Sequence, residues 1–498
     1  MNAEIGCMRP LMAILLPGVS LLAILLLPGK HQTLKRAVHI AGSLGAFGVV
    51  LSMLPGILDG NVYGMELIPI VELISIHLTV DALGFYFGLV LTFLWVLATV
   101  YSSGYIKHKD ERFYGFMALC NSFLLGCAFS QNIFTYFVFY ELMTLASFPL
   151  IIHEETDAAR RAGIKYLKYA IPAGAVILFA ILLHFFRGGG DLSLVSMGTL
   201  SLDAASRTLL TVVFLAYFGG FGVKAAIVPL EGWVPDAHPA APAPASALLS
   251  GVILKAGAFG IIRVVVNVFG LDLFKELNLW IPMIVLASIT IILGSVRALA
   301  QDNLKRRLAY SSVGQVSYIL LGIALMSPLG VLGGIMHLAH HALMKGCLFF
   351  CSGIILKKTG KKNVSEMAGV GYSLPITMIC FSICALAMMG TPLTVGFISK
   401  WLLGSGAVQA DKPALIIVLL ISALLSAFYY LPIIYTAFFR RPQEDSESQT
   451  FQFKGETSPA MLWPAVVLAV LVIVVGVWVT VPAFPHSLAS MVVRVLFT

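Results

Sequence analysis

Long apolar runs separated by short polar stretches repeat along the whole chain. Each run holds about 20 residues, which is enough for an α-helix to cross a hydrocarbon core about 30 Å thick. The pattern predicts fourteen transmembrane spans, numbered in chain order, with residues 227–243 as a broken continuation of the seventh. The predicted spans cover residues 8–27, 37–55, 79–102, 113–130, 132–152, 165–186, 207–226, 244–268, 279–299, 305–326, 331–356, 373–396, 413–439 and 459–482.

The distribution of lysine and arginine predicts how these spans are oriented. Cytoplasmic loops of membrane proteins carry an excess of both residues. Of the 32 lysines and arginines, 21 fall in one set of alternate loops, 7 lie on the opposite side and 4 lie inside spans. We therefore predict a multi-pass protein of a bacterial or archaeal cytoplasmic (inner) membrane, with both termini outside.

The composition agrees with a membrane protein and excludes other classes. The 498-residue chain is 59% hydrophobic and 11% charged, whereas soluble domains carry about 25% charged residues. No basic stripe with interleaved aromatic residues indicates a nucleic-acid partner. Iron–sulfur sites use clustered Cys-x-x-Cys runs, which the seven cysteines do not form. The sequence thus predicts a protein surrounded by the lipid bilayer, with no cofactor and no metal in this chain.

Five ionisable residues lie inside the predicted spans, namely Glu141, Lys224, Lys255, Lys345 and Lys400. Such groups are costly at membrane depth and mark ion pathways or buried partners. A lysine near a helix end can instead extend its amine to the membrane surface. That alternative stays open for Lys400 and is weaker for Lys255, which lies deep in its span. We interpret the five residues as a proton relay, with Glu141 and Lys224 as its first pair.

Three histidines, His337, His340 and His341, share a predicted span with Lys345. Their spacing places them on one helix face, which would suit a metal ion, but that span has no cysteine or carboxylate close to them. Histidine titrates near neutral pH and can pass protons along a hydrated face. Metal binding, packing and proton transfer all stay open, and we favour proton transfer, with His337 and His341 in the relay.

Two spans are broken by proline and glycine. The stretch 224–249 contains five prolines, and 388–400 contains Gly390, Pro392 and Gly396. Proline interrupts helical hydrogen bonding, and broken backbone at membrane depth is tolerated only inside protein or beside a cavity. Corresponding breaks in two halves of a chain are typical of transporters built from repeats. We predict an all-α polytopic membrane protein in which spans 4–8 and 9–13 form two inverted five-helix repeats, each with a broken helix.

The whole chain, residues 1–498, is predicted to be a single membrane domain. Residues 1–112 form the N-terminal helices 1–3, residues 113–268 the first repeat and residues 279–439 the second. Residues 440–498 form a polar, flexible loop and the final helix.

Three stretches carry a family resemblance. VPLEGWVPDAHPAAPAPASALLSGVILKAGAFGIIR, LKRRLAYSSVGQVSYILLGI and HHALMKGCLFFCSG resemble signature helices of the antiporter-like subunits of respiratory complex I. The same signatures occur in membrane-bound hydrogenases and multi-subunit cation/proton antiporters. The resemblance covers about residues 110–400. It implies that this chain is a proton-conducting subunit of such an assembly.

The resemblance also implies roles for individual residues. Glu141 matches the family's fifth-helix glutamate, and Lys224 and Lys255 match the lysines of its seventh and eighth helices. His341 and Lys345 match the eleventh-helix relay, and Lys400 matches the exit residue of the twelfth. Some relatives carry glutamate at the exit position, and some carry histidine where this chain has Gln315. The lysine argues against the usual M-type subunit, and the glutamine suggests a step bridged by water.

Two functions follow from the resemblance. The first is a proton-translocating subunit of a redox-driven complex, with partner membrane subunits and a peripheral redox arm that carries iron–sulfur clusters. The second is a subunit of a secondary sodium/proton antiporter without redox chemistry. A stand-alone solute transporter is disfavoured, because the buried charges follow one another in a series and do not converge on a pocket.

Overall fold

The computed structural model describes residues 4–27, 31–71, 74–203, 205–440, 451, 453, 455–479 and 485–497. Its first twelve α-helices are α1 Arg9–Leu26, α2 Gln32–Ser52, α3 Leu54–Leu58, α4 Ala82–Tyr105, α5 Asp110–Ala128, α6 Ile133–Ile151, α7 Asp157–Arg187, α8 Arg207–Ala225, α9 Val234–Ala240, α10 Ala243–Leu248, α11 Leu254–Arg263 and α12 Gly270–Glu276. Two π-helical segments, Leu249–Ile253 and Val264–Phe269, join α10, α11 and α12 into one long helix.

The remaining helices complete the membrane bundle. They are α13 Trp280–Leu299, α14 Leu304–Ala324, α15 Pro328–Thr359, α16 Val370–Ser373, α17 Pro375–Met389, α18 Val395–Gln409, α19 Leu415–Phe439, α20 Pro459–Val477 and α21 His486–Phe497, with a 3₁₀ turn at Val364–Glu366. The predicted all-α polytopic fold is confirmed. Among the described residues, eleven helices are long and apolar enough to cross a bilayer. The count of fourteen spans and the inverted repeats remain predictions.

Polar side chains placed just before the apolar runs start many of these helices. Each accepts a hydrogen bond from a backbone N–H that has no partner in the first helical turn, which stabilises the helix by about 1 kcal/mol. The capping residues are Asp81 for α4, Asn132 for α6, Thr156 for α7, Ser206 for α8, Asn303 for α14 and Ser327 for α15.

The predicted twelfth span, residues 373–396, differs from the structure. It is two helices of 15 residues each, α17 and α18, separated at Gly390, which has a φ of +97°. A left-handed conformation of this kind suits glycine and ends α17. The break itself was predicted from the sequence, but the second helix continues to Gln409. Lys400 therefore lies inside α18 and not at the end of a single span.

A small sheet was missed by the sequence prediction. Strand β1 (Glu4–Gly6) pairs in parallel with β2 (Val62–Val71), and β2 pairs antiparallel with β3 (Ile74–Val80). A search for apolar runs of about 20 residues does not detect strands of this length. In the chain, β1 precedes α1, and β2 and β3 lie between α3 and α4. The sheet packs on α1, α4 and α6.

The connections between helices meet in two separate sets. In one set, β3 bridges to Ser130, Asn132 bridges to Ser193, and residues 198–200 bond to the end of the second π-helical segment. In the other set, Asn303 bridges to Asn363 and Lys357 donates to the carbonyls of Gly104 and Tyr105. These are the two sets of alternate loops that the charge distribution predicts. The assignment of one set to the cytoplasmic side remains a prediction, based on the count of lysine and arginine residues.

The loop 440–458 lies mostly outside the described residues, as does Thr498. One described residue of the loop, Glu456, is buried against the start of α17. Its carboxylate accepts hydrogen bonds from the backbone N–H groups of Ile376 (2.6 Å) and Thr377 (3.1 Å). A carboxylate is favoured at a helix N-terminus, so this residue fixes the first half of the broken helix.

Gly257 sets the distance between α11 and α8. A Cβ at this position would lie 2.4 Å from the backbone nitrogen of Ala225 and 2.5 Å from the carbonyl oxygen of Phe221. Backbone atoms cannot move aside as a flexible side chain can. The close approach packs α11, the helix that carries Lys255, against the end of α8 that carries Lys224.

Gly257→Ala is therefore expected to destabilise the protein by about 1–3 kcal/mol, the usual cost of overpacking. The measurement is the thermal unfolding midpoint of the detergent-solubilised protein. Gly219→Ala is the matched control, because nothing lies within 4 Å of its added Cβ and alanine favours a helix over glycine. A Gly257→Ala protein as stable as Gly219→Ala would contradict this account of the helix contact.

Candidate functional site: a buried line of amines, hydroxyls and imidazoles

The structure places the seven predicted relay residues on five helices at membrane depth. Glu141 lies on α6, Lys224 on α8, Lys255 on α11 and Lys400 on α18. The other three, His337, His341 and Lys345, lie on α15. Five of the seven are at most 1% exposed, and Glu141 and Lys400 are partly buried. The five are Lys224, Lys255, His337, His341 and Lys345.

Lys224 is held by hydroxyl groups. Its Nζ donates to Thr144 Oγ1 at 2.5 Å and to Tyr166 OH at 3.1 Å, and it lies 4.6 Å from the centre of the Tyr140 ring. The amine sits in the last turn of α8, just before the left-handed Ala226 that begins the break. Hydroxyls and an aromatic face stabilise an ammonium without neutralising it.

The predicted pair of Glu141 and Lys224 is not in contact in this structure. The ion pairs of the described residues do not include it. The Glu141 carboxylate points instead to α7, where a Cβ on Gly174 would lie 2.5 Å from its Oε1, and that oxygen has no hydrogen-bond partner. The absence of a side chain at Gly174 thus leaves room for the carboxylate.

Lys255 is bonded to the backbone of its own helix. Its Nζ donates to the carbonyl oxygens of Ser250 at 2.9 Å and Gly251 at 2.5 Å, both in the first π-helical segment. Segments with π-helical geometry often mark functional sites. Here the altered helix turn presents two carbonyls to an amine that has no carboxylate partner among the described residues.

Two serine hydroxyls lie between Lys255 and Lys345, and each lysine amine bonds to a backbone carbonyl beside them. The Ser250 hydroxyl lies 2.7 Å from that of Ser312, which donates to the carbonyl of Leu308 at 2.9 Å. Lys345 Nζ donates to the same carbonyl at 2.9 Å and to Tyr430 OH at 3.2 Å. The two halves of the chain are therefore connected through buried polar groups.

The histidines of α15 lead from the centre toward Lys400. The His341 ring is stacked with His337, with centroids 5.8 Å apart, and His337 is stacked with Tyr318 at 5.2 Å. Lys400 Nζ lies 5.5 Å from the Tyr318 ring centre, and its neighbour Ser399 bonds His337 Nδ1 at 2.9 Å. Across the described residues, no three histidine, cysteine or carboxylate side chains converge as a metal ion requires.

Lys400 closes the end of α17. Its Nζ donates to the carbonyl oxygens of Met388 at 2.6 Å and Met389 at 3.1 Å. These carbonyls have no helical partner because α17 ends there, and a cation is favoured at a helix C-terminus. The amine is bound across the break, which argues against the alternative that it extends to the membrane surface.

Sequence reasoning missed the neutral groups that hold the amines. These groups are the hydroxyls of Thr144, Tyr166, Ser312, Tyr318 and Tyr430. In the sequence, nothing distinguishes such residues from those that only pack within an apolar span. Only Thr144 could have been found, because it lies one helical turn after the charged residue Glu141. Several further buried polar atoms in this region have no protein partner, namely Gln315 Oε1, Ser317 Oγ, Tyr318 OH, His337 Nε2 and both ring nitrogens of His340 and His341.

Two ion pairs at the ends of the bundle were also missed. Arg263 binds Asp81 through two hydrogen bonds of 2.6 Å each, at the start of α4. Glu231, buried in the first break, pairs with Arg297 of α13. The sequence analysis counted both arginines among the loop charges. It missed their acidic partners because these lie far from them along the chain.

The broken helices and this buried line of ionisable groups define a membrane protein of the ion-transporting class. A family model described as NADH:quinone oxidoreductase/Mrp antiporter, TM, matches residues 130–426. The chain belongs to this family and is an antiporter-like membrane subunit of the complex I superfamily. The resemblance drawn from the three sequence stretches is thereby confirmed.

Individual relatives support the same placement. The chain is 32% identical to NADH-quinone oxidoreductase subunit N of Desulforudis audaxviator, over 81% of this chain and 82% of that one. It is 36% identical to hydrogenase-4 component B of Escherichia coli, over 67% of this chain and 51% of that longer protein.

Solved structures share the fold. A chain of the Mrp complex from a Dietzia species superposes with a TM-score of 0.84 at 21% identity, covering 98% of both chains. A chain of the membrane-bound sulfane sulfur reductase, an archaeal respiratory membrane complex, gives a TM-score of 0.86 at 24% identity and the same coverage. Both neighbours are chains of membrane complexes, and at these identities the likeness shows that this chain has the same multi-span fold.

Proposed function

We propose that this chain is a proton-translocating subunit of a redox-driven membrane complex. Protons move through a relay of Glu141, Lys224 and Lys255, then Lys345, His341 and His337, and leave near Lys400. The observation that carries the proposal is that each of the four lysines is bonded to hydroxyls or backbone carbonyls and to no carboxylate.

This bonding pattern matters because neutral partners do not fix the protonation state of the amines. A buried ammonium in contact with a carboxylate would stay protonated. An amine held by neutral groups instead responds to the charges around it. At an effective dielectric constant near 20, two unit charges about 10 Å apart interact by roughly 1.7 kcal/mol, more than a tenfold change in proton occupancy.

Glu141 supplies the variable charge at the start of this series. In the present structure its carboxylate lies beside Gly174 and away from Lys224. Movement of the carboxylate toward Lys224 would favour the ammonium form, and movement away would favour release of the proton to the next group. Electron transfer in partner subunits drives this movement, because this chain itself carries no redox group in the proposal.

The path beyond Lys255 needs water at both of its ends. The serine hydroxyls of residues 250 and 312 can donate and accept in turn. Each lysine amine bonds to a backbone carbonyl, which only accepts, so water links the amines to these hydroxyls. The unpaired ring nitrogens of His337 and His341 can bind a proton in transit. Beside Gln315, a water molecule carries the proton between neighbouring groups. In a relative with histidine at this position, the imidazole would carry it directly.

The relatives support a redox-driven assembly. The names of two relatives above 30% identity are those of an NADH-quinone oxidoreductase subunit and a hydrogenase component. We infer partner membrane subunits and a peripheral arm with iron–sulfur clusters. The second candidate is a subunit of a sodium/proton antiporter without redox chemistry, favoured by the description of the family itself.

Purification of the native complex through an affinity tag on this chain separates the two candidates. We expect iron–sulfur absorbance and dehydrogenase-type or hydrogenase-type subunits to copurify. A complex of membrane subunits alone, with sodium-dependent proton exchange in proteoliposomes, would contradict the redox proposal and favour the antiporter. The detergent-extracted membrane from cells with an untagged chain is the control for non-specific binding.

A further inference from the structure

A second set of buried polar side chains lies in the N-terminal helices, outside residues 130–426. The buried face of α2 consists of five residues, and it changes character midway: Lys35, His39 and Ser43 are polar, whereas Ala46 and Val50 are apolar. With a rise of 1.5 Å per residue, the polar part extends about 12 Å along the helix. The face is therefore polar through one half of the membrane core and apolar through the other.

The neighbouring helices present polar groups to the same face. Lys35 Nζ pairs with Glu111 of α5 at 2.6 Å, and the Ser43 hydroxyl lies 3.1 Å from that of Thr99 on α4. The His39 ring lies against Tyr114 of α5, with centroids 5.1 Å apart. Three helices thus contribute to one polar seam, whose mouth is the half-exposed Glu111.

Several groups along this seam have no protein partner. His39 is 2% exposed and Asn121 is fully buried, yet both ring nitrogens of the former and both amide atoms of the latter are unpaired. Asn121 lies two turns beyond Tyr114 on the same face of α5. Buried polar atoms in native proteins bond to protein or to ordered water. Four such atoms in one seam indicate that water reaches the middle of this bundle.

The inner end of the seam lies one helix away from the relay. Cys120, next to Asn121, has its sulfur 3.8 Å from the carbonyl oxygen of Met143 on α6. The sulfur of Met143 in turn lies 3.8 Å from Lys224 Nζ. The mouth at Lys35 and Glu111 belongs to the loop set that the lysine and arginine count assigns to the cytoplasm.

We propose that the interface of α2, α4 and α5, from Lys35 and Glu111 through His39 to Asn121, is a water-filled path for proton uptake from the cytoplasm to Lys224. The destination rests on the proposed relay, whereas the existence of the path does not. The apolar second half of the α2 face prevents the path from crossing the membrane, so it delivers protons without short-circuiting the complex.

Thiol accessibility tests the path directly. In inverted membrane vesicles that contain the native complex, methanethiosulfonate ethylammonium is expected to label Ser43→Cys, with mass spectrometry of that peptide as readout because the chain has seven cysteines of its own. Ser20→Cys is the matched control: Ser20 lies between α1 and α2, and its hydroxyl bonds the carbonyl of Pro17. Labelling of neither position, or of both equally, overturns the path.

Proton translocation by the same complex tests uptake. His39→Leu and Asn121→Leu are expected to lower its rate by at least about threefold, while His39→Gln, which keeps hydrogen bonding to water, and Ser20→Ala stay near wild type. Wild-type rates in both leucine variants overturn the uptake role. If the wild-type complex moves no protons although the Ser43→Cys variant is labelled, the proposed function is overturned and the path stands.

Discussion

Lys224→Ala is expected to abolish proton translocation while leaving the complex assembled. Lys224 is held by side chains of α6 and α7: its amine bonds to Thr144 and Tyr166 and lies over the Tyr140 ring. Its removal breaks the connection between Glu141 and the centre of the chain. We expect a loss of at least about tenfold, equivalent to about 1.4 kcal/mol or more, with electron transfer partly retained and uncoupled.

The measurement is the number of protons translocated per turnover in inverted membrane vesicles. Lys168→Ala, which removes an exposed lysine from α7, is the matched control and should translocate normally. Lys224→Arg keeps the charge but not the ability to release the proton, so it should resemble alanine. Full translocation in Lys224→Ala would refute the relay.

Lys255→Met is expected to abolish translocation and to raise thermal stability at the same time. Methionine fills a similar volume, and it removes a fully buried amine that is bonded only to two carbonyls of its own helix. A buried charge without an ion partner costs free energy, so its replacement by an apolar residue of similar volume is expected to stabilise the protein. The chain therefore keeps Lys255 at a cost in stability, which points to function and not to folding.

Two measurements check this prediction, the thermal unfolding midpoint and the proton translocation rate of the complex. Leu254→Met, at the neighbouring position of α11, is the control for methionine in this helix. A Lys255→Met protein that is less stable than wild type would show that the amine is a structural element. A variant that translocates protons normally would remove Lys255 from the relay.

The sequence was sufficient to find the intramembrane ionisable residues that we propose as the relay, but not the groups that hold them. A lysine such as Lys255 is easily recognised within an apolar run. The free-energy cost of its charge depends only on its depth in the membrane. The carbonyls that bind it depend on a π-helical turn, which no composition rule predicts. The same holds for Lys400, whose partners exist only because α17 ends at Met389.

Other differences have equally physical causes. Strands β2 and β3 were missed because nearly all of their residues lie between the second and third predicted spans, where a search for spans does not look. Thr144 and Tyr166 lie on different helices, and only folding brings their hydroxyls to Lys224. The separation of Glu141 from Lys224 depends on the space left by Gly174 on a third helix. Contacts between helices cannot be predicted from the sequence of each helix taken separately.

The break in the second half was predicted but its extent was not. Gly390 and Pro392 mark the end of α17 in the sequence. The helix that follows begins at Val395 and runs for 15 residues, and its apolar run was read as part of the loop. The structure shows two half-helices with Lys400 across the gap between them.

Proton movement by the native complex in sealed proteoliposomes is the most direct test of the central claim. The complex is energised by the electron donor of its own redox arm, and the internal pH is followed with a trapped fluorescent dye. The account predicts a pH change that a protonophore abolishes and a sodium ionophore does not. Electron transfer by an intact complex in sealed liposomes without any such pH change would contradict it.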